Sequence, residues 1–89
     1  MVHDNPEKSR FELEHDGQIA FSVYRREPGV ITIIHTEVPP EFQGKGIGSA
    51  LARGLLDLIR QSGERLVARC PFIAAYVRKH QEYQDLERR

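Results

Sequence analysis

Eighty-nine residues, 39% apolar and 29% charged, are enough for one globular domain with a single modest core. Thirteen basic and thirteen acidic side chains cancel to a formal net charge of zero, which argues against broad electrostatic capture of nucleic acid or of an anionic membrane. A single cysteine excludes an internal disulfide, no Cys/His spacing suggests a metal, no apolar run could cross a bilayer, and the polar start MVHDNPEKSR lacks a signal-peptide core, so the cytoplasm is the expected location.

The first nine residues are polar, contain Asn5-Pro6, and read as a flexible lead-in to a domain spanning residues 10–89. Arg10 to His15 alternates Phe11 and Leu13 against Glu12 and Glu14, the pattern of a half-buried strand. Asp16-Gly17 is a two-residue hairpin signal. Gln18 to Arg26 is the return strand, and Glu27-Pro28-Gly29 a second turn. Val30 to Val38 is apolar on both faces, with Ile31 and Ile33 on one and Val30, Ile34 and Val38 on the other, as in a central strand covered on both sides. Pro39-Pro40 ends its pairing.

Next comes Gln43-Gly44-Lys45-Gly46-Ile47-Gly48, which opens an amphipathic helix over about Ile47 to Gln61. Ser62-Gly63 closes that helix. A glycine loop at a helix N-terminus presents unpaired amides and partial positive charge, a ready anion site. The phosphate loop of nucleotide hydrolases requires Gly-Lys-Ser/Thr, which is absent; the dinucleotide fingerprint requires a glycine where Ser49 stands. A short strand, Leu66 to Arg69, then lies parallel to Val30–Val38 through a helical crossover. Cys70-Pro71 opens a second helix, Phe72 to His80, and the polar tail Glu82 to Arg89 packs through Tyr83 and Leu86 before fraying.

The order β-β-β-α-β-α is an α/β domain: an antiparallel meander joined to a parallel strand pair, with helices packed on the sheet. The pattern Gln43-x-x-Gly46-x-Gly48, placed after a strand that ends Val38-Pro39-Pro40-Glu41, resembles the acetyl-CoA loop of the GCN5-related N-acetyltransferases. The resemblance runs from about Phe11 to Tyr83 and is closest to the small, minimal, YjdJ-type branch of that superfamily. The segments Cys70 to His80 and Glu82 to Leu86 look like that branch's second signature. The N-terminal helices that shape the acceptor cleft of full-size members are missing.

The resemblance implies transfer of acetyl from acetyl-CoA to an amine, with no metal. The backbone of Gly44, Lys45, Gly46, Ile47 and Gly48 would cradle the pyrophosphate, with Ser49 next in the helix. Gln43 would order the loop, and the backbone of Glu37 and Val38 would pair with the pantetheine arm. Lys45 either adds charge there or is simply solvated. Three residues converge on the chemistry. His35 and Glu37 share a strand face and are candidates for general base. Cys70 ends the neighbouring strand and reads either as a nucleophile forming an acetyl-Cys70 intermediate or as a small buried hydrophobe. Tyr76 is the candidate for the tyrosine that protonates the leaving thiolate; a core or adenine-side aromatic is the other reading, because aligning Cys70 with the larger enzymes' asparagine puts Val77 at the tyrosine position. Arg78, Lys79 and His80 form either a solvated face or a contact for the nucleotide's 3′-phosphate. A module that binds CoA or acyl-CoA without turnover is the alternative function.

Overall fold

The computed structural model describes residues 1–89. Asp16 and Gly17 both take positive φ (51° and 76°), the mirror-image turn that matches strand twist. It joins β2 (Arg10–His15) to β3 (Gln18–Glu27), and Gly29 at φ 77° turns β3 into β4 (Val30–Glu37). Helix α1 (Ile47–Ser62) carries the chain across to β5 (Arg65–Ala68), and α2 (Pro71–Lys79) follows at once. An additional short strand, β1 (His3–Asn5), pairs antiparallel with β2, giving the sheet order β1-β2-β3-β4-β5. Only β4 and β5 are parallel.

Residues paired directly across strands share a face. Phe11, Leu13, Ala20, Ser22, Tyr24, Ile31, Ile33 and Leu66 therefore form one face, and all are buried. They pack against Leu51, Leu55, Leu56 and Ile59 of α1 and Ile73 and Val77 of α2 in one core. Both helices lie on this face. The expectation that β4 would be covered on both sides fails for that reason: Ile34 is 46% exposed. A bulge adds to the effect. Val23 pairs with His35 while Tyr24 pairs with Ile33, so Ile34 is an extra residue on β4 and the face alternation flips after it.

The first nine residues are not a loose lead-in. Val2 is buried in the core, and β1 is fastened by polar contacts: Tyr24 Oη donates to Asp4 (2.6 Å), and Arg26 bridges Asp4 (3.0 Å) and Glu64 (2.8 Å). Burial and the Asp4 hydrogen bond push the Tyr24 phenol up to about 12. On the other face of the sheet Glu12 receives Arg10 and Asn5 and lies 3.1 Å from His3 Nε2. The hydrogen bond from Arg10, the largest cause, and that from Asn5 outweigh burial and hold the Glu12 carboxyl below its usual range. A carboxyl lowered by folding adds stability above the ordinary carboxylate range and loses it as acid protonates it. Glu12→Ala should therefore cost about 1 kcal/mol at neutral pH, and the gap to wild type should close as the pH falls below 4. Urea midpoints across that range check this; a constant gap would refute it.

The tail Gln81–Arg88 is a 3₁₀ helix, held by Arg60–Asp85 (2.9 Å) and by Tyr83 Oη donating to Asp57 (2.8 Å). No helix is long and apolar enough to cross a membrane.

Candidate functional site

The pairing of β4 with β5 ends at Ile33–Ala68, although β4 continues to Glu37. The Ile33 carbonyl accepts from both Arg69 N–H (2.9 Å) and Cys70 N–H (3.0 Å), and Pro71 then starts α2. The last residues of β4 thus have β3 on one side and no strand on the other. This gap is where the two parallel strands separate.

The bulge decides what faces the gap. Strict alternation from Ile33 would put His35 on the helix side with Cys70. The extra residue puts Thr36 there instead. Cys70 Sγ donates to Thr36 Oγ1 (3.4 Å), and Thr36 Oγ1 lies 2.7 Å from Ser22 Oγ. His35 and Glu37 point to the open face, paired at 3.1 Å, with side chains 57% and 61% exposed. The expected trio is therefore split: His35 and Glu37 come together on one face of β4, and Cys70 meets Thr36 on the other.

Beyond Val38 the chain makes a 3₁₀ turn, Pro40–Phe42, anchored by buried Phe42, whose ring meets His15 edge-on at 5.2 Å. In the glycine loop, Gln43 N–H and Lys45 N–H donate to the carbonyls of Pro40 (3.2 Å) and Phe42 (3.1 Å). The Lys45 amide is therefore already occupied, and its exposed side chain is what remains free to meet a ligand. Gly44 and Gly46 take φ of 82° and 75°, and their amides make no backbone hydrogen bond. Gly46 caps α1 without a side-chain cap, so the first amides of the helix, Ile47, Gly48 and Ser49, have no intrahelical partner. These open amides border a groove of about 330 Å³ lined by Val38, Phe42, Gln43, the loop and Phe72. A Cβ on Gly48 would come within 3.1 Å of the Phe72 ring, so glycine keeps this wall close.

Ser49 and Phe72 also line a second cavity of about 380 Å³ with Arg53, Tyr76, Lys79 and His80. The Tyr76 ring stacks on His80 (centroids 3.8 Å apart, 11° between planes), and His80 Nδ1 lies 2.8 Å from the Tyr76 carbonyl. Tyr76 thus belongs to this basic, aromatic cavity. Arg78 points elsewhere, into a cleft with Gln84 and Arg88. Thr36, Ser22, Phe72 and Arg53 are additions that sequence reasoning did not single out. No group of three or more His, Cys, Asp or Glu side chains is placed to hold a metal ion.

The chain resembles known proteins in sequence and in fold. Residues 10–86 match the family model described as GCN5-related N-acetyl-transferase. Protein NATD1 of Mus musculus is 34% identical over 59 residues, which is 66% of this chain and 54% of that protein. Protein NATD1 of Homo sapiens is likewise 34% identical over 59 residues, 52% of its length. The chain spans about half the length of the curated relatives it matches. The NMR structure of a GCN5-like protein from Staphylococcus aureus superposes with a TM-score of 0.73 at 26% identity, covering 97% of this chain and 85% of that one.

Proposed function

Because the chain belongs to the GCN5-related N-acetyltransferase family, we propose that it transfers the acetyl group of acetyl-CoA to a primary amine. The observation that carries the reading is the row of unpaired amides at Gly44 and Gly46–Ser49 at the end of a strand whose last residues lack a partner on one side. In this reading those amides and the α1 dipole hold the pyrophosphate. The unpaired edge at the end of β4 and just beyond it, Glu37 and Val38, takes the pantetheine arm as an added strand. The thioester then lies in the gap between Thr36–Cys70 and His35–Glu37. The His35–Glu37 pair removes the proton from the attacking amine, Glu37 orienting the ring.

Direct attack is preferred to an acetyl-Cys70 relay. A relay needs a thiolate made by a neighbouring cation or histidine, whereas the partner of Cys70 is a hydroxyl. Arg53, Lys79 and the Tyr76–His80 stack receive the nucleotide end. Lys79→Ala should weaken CoA binding about threefold and leave dephospho-CoA unaffected, since an exposed ion pair is worth less than about 1 kcal/mol. Calorimetry with both ligands checks this; equal losses would remove Lys79 from the 3′-phosphate. The reaction is placed in the cytoplasm, with no nucleic-acid or membrane partner and no metal.

A second reading, binding of CoA or acyl-CoA without turnover, is favoured by one observation: none of the cavities is lined by His35 or Glu37. Incubation with acetyl-CoA and a panel of a lysine peptide, spermidine and aniline separates the two. An acetylated amine with stoichiometric CoA release supports transfer, and tight binding with no product on any amine supports the module.

A further inference from the structure

We infer that the cavity between the N-terminal segment and the outer face of α1 is a second ligand site, built for a small monocarboxylate with an unbranched apolar body. The site goes beyond acetyl transfer and does not depend on it. The cavity is the largest in the molecule, about 570 Å³, within the span of about 300–1,000 Å³ usual for small-molecule sites. Its lining on α1 runs from Gly46 to Asp57, about three turns of helix or about 16 Å, which suits an elongated occupant. Small residues make the hollow. Ala50 and Gly54 keep the outer face of the helix low, while Met1, Val2 and Leu13 rise on the side of the N-terminal segment and β2. None of these five residues lines either cavity beside the glycine loop. Met1 is fully exposed, and its flexible, unbranched side chain is free to fold over an apolar occupant.

The opposite side of the cavity offers donors without partners. Of the three tyrosine hydroxyls, those of Tyr24 and Tyr83 donate to Asp4 and Asp57, while that of Tyr76 has no partner. Tyr76 is only 9% exposed, and every fully enclosed side-chain polar atom in the molecule is paired, so its hydroxyl opens into the cavities its ring borders. A nearly buried hydroxyl without a partner is an exception among native side chains, and an acceptor entering the cavity would satisfy it. Arg53 lines the same side and makes no ion pair, unlike Arg10, Arg26 and Arg60. A carboxylate answers both groups, since a guanidinium binds its two oxygens side by side and the phenol donates to either. Asp57 limits the charge. It also faces the cavity, with its carboxylate held by Tyr83 Oη at 2.8 Å. Against it stand Arg53 and the partial positive charge of the α1 N-terminus at Gly46, enough for one carboxylate and short of what a phosphate dianion needs. An ammonium head would meet Arg53 and leave the Tyr76 donor unused.

The probe is decanoate, with decylammonium as its cationic control, titrated without CoA because the nucleotide end is assigned above to the same guanidinium. Calorimetry and backbone amide shifts read the binding. Wild type should bind one decanoate, with shifts at Leu13, Ala50 and Gly54 and none at Gly44 or Gly48, and should bind decylammonium roughly tenfold more weakly or worse. Arg53→Gln should weaken decanoate about tenfold, and Tyr76→Phe, which keeps the ring, about threefold. Ala50→Leu adds volume at an exposed position of α1 with a good helix former, so it should abolish binding and leave the fold intact. No saturable binding, equal affinity for the two head groups, shifts elsewhere, or full affinity in any of the three variants would each overturn the inference. A protein that binds decanoate in this cavity and does not bind CoA would leave the inference standing and overturn the acetyl-transfer reading alone.

Discussion

Gly46→Ala is expected to weaken acetyl-CoA binding by at least tenfold, while Gly29→Ala leaves it unchanged. The two glycines are matched controls. They take φ of 75° and 77°, and a Cβ at either would meet nothing within 4 Å. Each substitution therefore carries the same left-handed backbone penalty of about 1–2 kcal/mol, with no clash to add to it. Their surroundings differ. Gly29 turns β3 into β4, whereas Gly46 caps α1 and sits between the free amides of Gly44 and Ile47. Relief of the strain at Gly46 would rotate those amides away from a common point, and the new methyl would stand in the open space where a phosphate approaches. Tenfold corresponds to about 1.4 kcal/mol, less than one good charge-assisted hydrogen bond. Thermal melts should show similar losses of stability for both variants, and calorimetry should separate them. Equal dissociation constants would mean that the loop is a connection and not a binding site.

The second large effect concerns stability and has a sign opposite to helix propensity. In an isolated helix Gly→Ala gains about 1 kcal/mol. At Gly54, inside α1, a Cβ would lie 2.3 Å from Val2 Cγ2 and 2.6 Å from Val2 Cβ. Val2 would have to leave the core, at a cost of about 3 kcal/mol in lost burial. Gly54→Ala is thus expected to destabilise by about 2 kcal/mol net. In a Val2→Gly background the same change should stabilise by about 1 kcal/mol, because the obstructing side chain is gone. Urea unfolding of the four proteins in this cycle measures the coupling directly. If Gly54→Ala stabilises in both backgrounds, Val2 does not pack against Gly54.

Much of the fold was legible because local chemistry determines it. Asp16-Gly17 and Pro28-Gly29 set the hairpins, alternation set β2 and β3, and Gly46 and Gly63 bounded α1 nearly to the residue. The family was legible from the glycine loop and the segment that begins at Cys70. What the sequence hid depends on tertiary contact. The strand at His3–Asn5 is polar because it pairs with β2 through side chains that meet Glu12, so no apolar pattern marks it. The need for glycine at position 54 arises from Val2, far away in the chain. The tail is ordered because two polar residues of α1 hold it: Arg60 donates to Asp85, and Asp57 accepts from Tyr83.

At the site the hidden element is the bulge. Period-two alternation groups Ile31, Ile33, His35 and Glu37 on one face, which brings His35 towards Cys70. One extra residue at Ile34 reverses the assignment and substitutes Thr36. No residue type at Ile34 announces this, since an isoleucine fits a regular strand equally well. Consequently the position of His35, Glu37 and Cys70 near one end of the sheet was readable, but which of them meet was not. Tyr76 shows the same limit: its ring belongs with His80 and Lys79, a grouping that follows from α2 spacing, yet its distance from the gap is a matter of packing.

The central claim is that one anion cradle and one strand gap together hold acetyl-CoA. The most direct test is titration of isotopically labelled protein with acetyl-CoA, followed by backbone amide shifts, which a chain of 89 residues suits well. The account predicts that the largest changes fall on Gly44, Gly46, Ile47, Gly48 and Ser49, with a second group at Glu37, Val38 and Cys70. The cavity along α1 is lined by Met1, Leu13, Ala50 and Gly54; shifts confined to those residues, or no shifts at millimolar ligand, would contradict the account.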